Sequence, residues 1–287
     1  MKDGKYHLDE RRTISLGGRP AHIRIRGTSE ENPVLLFLHG GPGISDRHWV
    51  LKYQSDLSDI CTLVCWDQRG SGKSYTKQQG RQSVTVEDMV SDASELLDYL
   101  CDRFSKDKIY IVGHSWGSVL GVLLTTRRPE RVAAYIGMGQ VVNLDENERI
   151  SYGLVLDEAR RRGDKRALGA LERIGEPQGG RYGSIDDLIT QRNYMSKYGG
   201  ASYNRSESIW TSMVLPLLRS PEYSLGDMLG YAKGSFYSLK QLWDQVCDTC
   251  FDQSVTRMDV PVYITQGRHD WNTPPSISHR WFERLEA

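Results

Sequence analysis

Cysteine is scarce in this sequence, and its start carries no targeting pattern. Five cysteines occur in 287 residues, an odd number that does not indicate a set of disulfide bonds. Residues 1–16 are charged and lack the apolar core of a secretory signal peptide. Both observations favour reduced thiols and a cytoplasmic protein.

The sequence also lacks long apolar runs and an excess of charge of either sign. The longest apolar stretches, such as Val119–Leu124, fall far below the roughly 18 residues that suggest a membrane span. Lys and Arg number 37, as do Asp and Glu, so charge gives no sign of a nucleic-acid surface. The pair Cys247 and Cys250 has no partners to complete the usual zinc ligands. We therefore expect no membrane, nucleic acid, metal or other cofactor.

Short apolar runs that end in glycine or polar residues predict buried strands. The predicted strands are Val34–Leu38, Cys61–Trp66, Ile109–Val112, Val132–Ile136 and Val260–Thr265. Between them, Val86–Phe104 and Ser118–Arg127 have the spacing of amphipathic helices. This alternation predicts an α/β fold with a mostly parallel sheet covered on both faces, and ligands beyond the C-terminal strand ends.

Residues 143–238 break the alternation. They are rich in arginine, glycine, tyrosine and aspartate and lack clear buried strands. Helices are predicted at Asn147–Arg162, Ile185–Lys197 and Glu207–Leu218. We interpret the segment as a helical cap inserted between two parts of the core, residues 1–142 and 239–287.

The segment from Gly113 to Gly117 matches the pattern G-x-S-x-G between a predicted strand and a predicted helix. In that context the serine projects from a tight turn as a nucleophile, and the helix N-terminus favours negative charge beside it. The motif predicts Ser115 as the nucleophile, and the alternative is a glycine-rich turn with a coincidental serine. We expect His114, inside the turn, to pack rather than to act as the base.

Acyl transfer also needs amide donors for the oxyanion that forms on the substrate. The amide that follows the nucleophile, that of Trp116, is one predicted donor. The glycines of His39–Gly43 let the backbone approach a substrate, so the Gly41 amide is the other, unless the segment is an ordinary turn. A cis Gly41–Pro42 bond is compatible with this loop, and we expect His39 to brace it.

Four motifs together resemble the proline iminopeptidase branch of the α/β-hydrolases. They are H-G-G-P-G at 39–43, D-Q-R-G-x-G-x-S at 67–74, G-H-S-W-G-S at 113–118 and G-R-x-D at 267–270. The resemblance covers residues 34–137 and 260–275. It implies an α/β-hydrolase fold with a helical cap, and cleavage of an N-terminal residue, typically proline, from a peptide.

The tract Gly70–Ser74 has an alternative interpretation as a phosphate loop. A Walker A motif requires glycine where Asp67 stands, so the pattern fails. We expect Asp67 and Arg69 to hold this loop by hydrogen bonds and charge.

Asp270 follows the last predicted strand and is the predicted triad acid, because the order in this fold is serine, acid, histidine. The alternative is a turn aspartate. The histidine is expected about 25 residues later, after one more helix and strand, but the sequence ends at Ala287. His279 comes too early, and His269 is adjacent to the acid. We expect a truncated form of a longer enzyme, without the final strand and helix, whose uncovered sheet edge allows oligomers.

An aminopeptidase must also bind a free α-ammonium group, usually with buried carboxylates. The candidates in the predicted cap are Glu172, Glu176, Asp186, Asp187 and Glu207. Trp210, Tyr203 and Phe236 fit either a proline-sized pocket or the cap core.

Three functions stay open. The first is a peptidase-like serine hydrolase of the proline iminopeptidase type, and the second is an esterase or lactonase with the same site. The third is a catalytically impaired chain or a non-catalytic ligand-binding protein, because loss of the base costs a serine hydrolase roughly a millionfold in kcat.

Overall fold

A seven-stranded sheet forms the centre of the computed structural model, which describes residues 6–203, 205 and 214–287. The strands are β1 (Leu8–Leu16), β2 (Arg19–Gly27), β3 (Val34–Leu38), β4 (Thr62–Asp67), β5 (Ile109–His114), β6 (Val132–Met138) and β7 (Val262–Thr265). Their spatial order is β1-β2-β4-β3-β5-β6-β7. Strands β4, β3, β5, β6 and β7 run parallel, whereas β2 is antiparallel to both β1 and β4. The mostly parallel α/β sheet is confirmed.

The first two strands form a hairpin that the apolar runs did not reveal. Gly17 and Gly18 occupy its turn with φ values of 54° and 70°, a backbone conformation that glycine adopts at no steric cost. Along β1, charged residues separate the few buried side chains, because this strand lies at the edge of the sheet. A search for continuous apolar runs therefore misses it.

Helices cover both faces of the sheet. They are α1 (Arg47–Tyr53), α2 (Leu57–Ile60), α3 (Val86–Phe104), α4 (Trp116–Arg127), α5 (Leu144–Arg162), α6 (Lys165–Ile174), α7 (Ile185–Lys197), α8 (Leu215–Leu218), α9 (Leu225–Cys247), α10 (Phe251–Ser254) and α11 (Pro275–Phe282). Side chains of α3, α4, α9 and α11 share one large apolar cluster with the sheet. Side chains of α1 and α2 join a smaller cluster on Phe37, Leu63 and Val112. The predicted two-sided covering is confirmed.

Helix α3 has the predicted bounds, and its N-terminus explains why it begins there. The Thr85 hydroxyl accepts a hydrogen bond from the Asp88 amide, and the Asp88 carboxylate accepts one from the Thr85 amide. This reciprocal capping satisfies two amides that a helix start otherwise leaves free. Apolar residues at helical spacing then direct Met89, Ala93 and Leu96 into the core.

Between β6 and β7 the described chain forms the helices α5 to α10 and no strand of the sheet. Helices α5, α6 and α7 enclose a small apolar cluster of their own, with Val155, Ala167 and Leu171 at its centre. The predicted boundary at 238–239 falls inside the continuous helix α9. Of the helix predicted over Glu207–Leu218, only the part from 214 onward lies among the described residues, and Glu207 and Trp210 lie outside them.

Strand β7 ends the sheet. Within the described residues it pairs with β6 and with no strand on its other side, and Tyr263 on this strand is exposed. After β7, the described chain adds α11 to the fold. Oligomer formation through this edge stays a prediction. No helix in the described ranges has the length and apolar character needed to cross a lipid bilayer.

Candidate functional site

A cavity of about 350 Å³ lies where the C-terminal ends of the central strands face the helices between β6 and β7. Its floor includes Gly41, Ser115 and Trp116, which come from the loops after β3 and β5. Neighbouring parallel strands bring their C-terminal loops to one edge of the sheet. Three of the four predicted site residues therefore line one cavity, although they are far apart in sequence.

Ser115 lies at the junction of β5 and α4 with φ 52° and ψ −120°, an uncommon backbone conformation for a residue with a side chain. Close packing enforces this turn. A Cβ on Gly117 would lie 2.0 Å from the Leu38 carbonyl oxygen, and one on Gly113 would lie 2.4 Å from the Gly117 carbonyl oxygen. The two glycines therefore let α4 start directly against β3 and β5, which leaves Ser115 at the cavity surface.

The two amides predicted to bind an oxyanion are free. Neither the Gly41 nor the Trp116 N–H donates a hydrogen bond to any described residue. Trp116 is the first residue of α4, where a helix leaves its amides without internal acceptors. Gly41 has φ 120°, and the Gly41–Pro42 peptide bond is cis, as the sequence suggested. Both residues line the cavity, and their role as donors to an oxyanion stays a prediction.

A buried glutamine that sequence reasoning missed connects these two loops. The Trp116 indole Nε1 donates to Gln68 Oε1 at 2.9 Å, and Gln68 Nε2 donates to the His39 carbonyl oxygen at 3.0 Å. The Gln68 amide also donates to His39 Nε2 at 3.1 Å. Burial lowers the pKa of His39, so this imidazole is neutral and braces the loop, as expected. The sequence signal for this linking role was the presence of a polar residue, Gln68, between Asp67 and Arg69.

His114 is the described histidine that lines the cavity. Its Nδ1 hydrogen-bonds to Asp46 Oδ2 at 2.9 Å, a contact between residues 68 positions apart. Burial alone would lower the pKa of His114, but the hydrogen bond to Asp46 and the charges of Asp46 and Asp270 raise it. Instead of only packing, His114 is therefore hydrogen-bonded to a carboxylate beside Ser115, and the two form a charge pair when the imidazole is protonated.

Asp270 lies on the adjacent turn after β7. Its Oδ1 accepts hydrogen bonds from the Asn272 and Thr273 amides at 2.8 and 2.9 Å, and its Oδ2 accepts one from the Thr273 hydroxyl at 2.7 Å. A Cβ placed on Gly139 would lie 4.0 Å from Asp270 Oδ2 and 3.9 Å from the His114 ring. The carboxylate is thus fixed near His114 by its own turn, and Thr273 links it to the cavity wall.

No described histidine hydrogen-bonds to the Ser115 hydroxyl or to Asp270. His269 stacks on Tyr203 with ring centroids 4.1 Å apart, and both side chains are exposed. His279 faces Glu283 across 3.5 Å on the exposed side of α11. Neither histidine lines the cavity, and the expectation that neither is the base stays a prediction.

The rest of the cavity lining is mostly apolar. It includes Val141, Leu144, Leu188, Leu239, Trp243 and Val246. Phe236 and Tyr203, which the sequence offered as pocket aromatics, are exposed and lie outside this lining. Trp243 on α9 lines it instead. The spacing of apolar residues along a long helix shows that Trp243 is buried, but it does not show whether the side chain lines a cavity or packs inside the helical segment.

Four of the five carboxylates expected to bind an ammonium group lie outside the cavity lining. Glu172, Glu176 and Asp186 are not among the cavity residues, and Asp187 belongs to the N-terminal capping interactions of α7. None of these four lines the cavity, and Glu207 lies outside the described residues. The lining carboxylates are Asp46 and Glu148, and Glu148 forms an ion pair with Arg192. Sequence reasoning missed Glu148, because helix α5 begins with several acidic residues of similar appearance.

Ion pairs and hydrogen bonds hold the loop that begins at Asp67. Arg69 makes a bidentate ion pair with Asp92, and Asp67 accepts a hydrogen bond from the Lys73 amide at 2.9 Å. The structural roles predicted for Asp67 and Arg69 are therefore confirmed.

Across the part of the chain that the structure describes, no cluster of three or more His, Cys, Asp or Glu is suited to a metal ion.

Comparison with known proteins agrees with this geometry. A family model described as alpha/beta hydrolase fold matches residues 33–285. The probable aminopeptidase YbaC of Bacillus subtilis is 34% identical over 277 residues, which cover 96% of this chain and 85% of that protein. A proline iminopeptidase of Lactobacillus helveticus is 29% identical over 120 residues, 42% of this chain and 40% of its own length.

Solved structures show the same architecture. A proline iminopeptidase-related protein from Thermus thermophilus superposes with a TM-score of 0.63 at 17% identity and covers 97% of this chain and 88% of its own. A 2-hydroxy-6-oxo-6-phenylhexa-2,4-dienoate hydrolase from a Rhodococcus species reaches 0.61 at 20% identity, with coverage of 97% and 88%. At these identities the likeness concerns the fold.

Proposed function

Because the chain belongs to the α/β-hydrolase fold family, we propose that it is a serine hydrolase with Ser115 as nucleophile. The observation that carries this proposal is the left-handed backbone of Ser115 at the floor of a cavity that Gly41 and Trp116 also line, both with amides that donate to no described residue. A buried structural serine has no need of such a conformation, which costs roughly 1–3 kcal/mol.

In the proposed reaction, Ser115 Oγ attacks the acyl carbon of the substrate and loses its proton to a base. The carbonyl oxygen becomes an oxyanion, and the Gly41 and Trp116 amides donate hydrogen bonds to it. Loss of a single donor of this kind costs about 10²–10³ in kcat. The amine or alcohol then leaves with a proton, and water hydrolyses the acyl-serine. Asp270 is the proposed acid of the triad, with its carboxylate fixed by three hydrogen bonds.

The proposed substrate is a peptide from which one N-terminal residue, typically proline, is removed. The names of two relatives support this choice: the Bacillus subtilis protein is a probable aminopeptidase, and the Lactobacillus helveticus protein is a proline iminopeptidase. The cavity supports it as well, because its apolar wall and small volume suit a short, largely apolar acyl group.

A fluorophosphonate probe tests the nucleophile. We expect the probe to label the wild-type protein and to leave Ser115→Ala unlabelled, as measured by intact mass spectrometry. Ser196→Ala is the matched control, because Ser196 lines the same cavity and should not affect labelling. A folded wild-type protein that resists the probe would overturn the proposal in favour of a ligand-binding function.

Chromogenic substrates test the specificity. We expect a prolyl arylamide to be hydrolysed with a higher kcat/KM than an N-acetylated prolyl arylamide. Hydrolysis of simple aryl esters without any cleavage of aminoacyl arylamides would replace the aminopeptidase proposal with an esterase.

A further inference from the structure

An apolar stripe extends along one side of helix α9, from the protein surface to the cavity that contains Ser115. Apolar residues recur along the helix at alternating intervals of four and three positions, which places them on the same side of a straight helix. They are Leu225, Leu229, Ala232, Phe236, Leu239, Trp243 and Val246. The last three of these residues line the cavity.

The first four residues of the α9 stripe form an exposed half. Leu225, Leu229 and Phe236 are 79%, 71% and 52% exposed, and Ala232 is exposed as well. The other side of this part of the helix packs on the core, where Tyr231 donates a hydrogen bond to the Ser45 carbonyl oxygen at 2.6 Å. Apolar residues at helical spacing usually face a core, and a contiguous apolar patch on the surface marks a binding site.

Positive charge borders the exposed half. Lys233 and Lys240 are exposed, lie seven positions apart, and each directly follows a residue of the stripe. Within the described residues neither lysine forms an ion pair, whereas the acid of this half, Asp227, lies 3.3 Å from Lys73. Two ammonium groups beside the stripe are therefore available to an anionic group of a ligand.

The dimensions favour a peptide over a second copy of the chain. At 1.5 Å per residue, the helix from Leu225 to Phe236 is about 16 Å long, which matches roughly five residues of extended peptide. A stripe of this length on a helix covers on the order of 200 Å², far below the roughly 800 Å² that each partner buries in a stable complex. Because the stripe continues into the cavity, a peptide held at Ser115 can extend along it.

We propose that the exposed half of the α9 stripe binds the part of a peptide substrate that follows its N-terminal residue, an inference that rests on the proposed aminopeptidase function. The ligand is an oligopeptide of about six residues with apolar side chains and a free C-terminal carboxylate. Its apolar side chains contact Leu225, Leu229 and Phe236. Its carboxylate pairs with Lys233 or Lys240.

Peptide binding to the Ser115→Ala protein measures this contact without hydrolysis. The ligands are the apolar peptide Pro-Leu-Ala-Leu-Ala-Leu, the polar peptide Pro-Ser-Gly-Ser-Gly-Ser and prolinamide, which reaches only the cavity. The test variant adds Leu229→Gln and Phe236→Gln to Ser115→Ala. Loss of two apolar contacts should raise the Kd of the apolar peptide roughly 10- to 50-fold by calorimetry, whereas prolinamide should bind both proteins equally.

Two controls isolate the stripe and its charge. Ile60→Gln replaces a residue of α2 that is 70% exposed and does not line the cavity, so it should leave the binding of all three ligands unchanged. Lys233→Gln combined with Lys240→Gln should weaken binding of the apolar peptide with a free C-terminal carboxylate and spare its amidated form. Circular dichroism establishes that the variants are folded.

The outcomes separate this proposal from the proposed function. Equal binding of the apolar peptide by the parent and the Leu229→Gln, Phe236→Gln protein overturns the peptide surface, as does a parent protein that binds the apolar peptide no better than the polar one. A wild-type dimer that dissociates in this variant, measured by sedimentation velocity, also overturns it and assigns the stripe to a second copy. Selective weakening of the apolar peptide supports the proposal even if the wild-type protein hydrolyses no arylamide, a result that would reject only the proposed reaction.

Discussion

At the scale of single residues, the site depends on polar side chains that are held by partners from other loops. His114 and Asp46 illustrate this. Asp46 precedes α1 and makes no side-chain capping bond there. Its carboxylate instead turns to the imidazole of His114, next to the proposed nucleophile. The pair fixes the ring beside Ser115 and adds a titratable group to the cavity floor.

This pair predicts a pH-dependent contribution to stability. The pKa of His114 is raised in the folded state, so the pair stabilises the fold below the ordinary histidine pKa and loses this effect as pH rises through the folded value. Asp46→Asn should therefore lower the free energy of unfolding more at about pH 6 than at about pH 9. Urea denaturation at both pH values measures the difference.

His114→Gln is the control, because a variant without the imidazole should lose most of the pH dependence that Asp46→Asn removes. An equal effect of Asp46→Asn at both pH values would contradict the assigned charge pair.

At the scale of secondary-structure elements, close contact between α4 and β3 defines the turn that carries Ser115. The helix begins so near the end of β3 that no side-chain atom fits at Gly117. Strands β3 and β5 are neighbours in register, with Leu38 opposite Gly113. The position of Ser115 is therefore fixed by backbone packing between three elements and does not depend on the flexibility of a loop.

Gly117→Ala tests this packing. The added methyl group must displace α4 or β3, and overpacking of this kind costs about 1–3 kcal/mol of unfolding free energy. Because the displaced elements carry Ser115 and the Trp116 amide, fluorophosphonate labelling should slow as well. Chemical denaturation and the labelling rate give the two readouts.

Gly169→Ala in α6 is the matched control, since a Cβ there meets no atom within 4 Å. A helical glycine replaced by alanine without a clash should gain roughly 0.5–1 kcal/mol. Wild-type labelling and stability in Gly117→Ala would show that the turn tolerates a side chain.

At the scale of the whole molecule, a buried charge network connects the sheet to the helical segment. Asp67 is fully buried at the end of β4. Its Oδ1 accepts hydrogen bonds from the hydroxyls of Ser45 and Tyr223 at 2.6 and 2.8 Å, and its Oδ2 lies 3.3 Å from Arg47. Tyr223 lies just before α9, so Asp67 fixes the return of the chain from the helical segment to the core.

Asp67→Ala should be strongly destabilising. It leaves the buried Arg47 guanidinium and the Tyr223 hydroxyl without their main acceptor, and breaking a buried ion pair costs about 3–5 kcal/mol. Glu87→Gln is the comparison, because its pair with Arg127 is exposed and should be worth less than about 1 kcal/mol. Urea midpoints of the two variants measure the contrast, and similar midpoints would argue against a central role for Asp67.

The sequence by itself determined the elements whose signal is local. The helix predicted at Val86–Phe104 and the strand predicted at Val34–Leu38 have the observed bounds, because hydrophobic periodicity and capping act within a few residues. The glycines of the two motif loops also predicted where the backbone approaches a cavity. Strands β1 and β2 escaped notice, since the edge strand β1 has few buried side chains.

Only the tertiary structure decided which polar residues meet. Glu148 and Arg192, or His114 and Asp46, are distant in sequence and become partners when helices dock over the sheet. Exposed acids such as Glu172 and buried ones such as Glu148 have the same local sequence character. Burial and the loss of water distinguish them, and both arise from packing between elements rather than from neighbours along the chain.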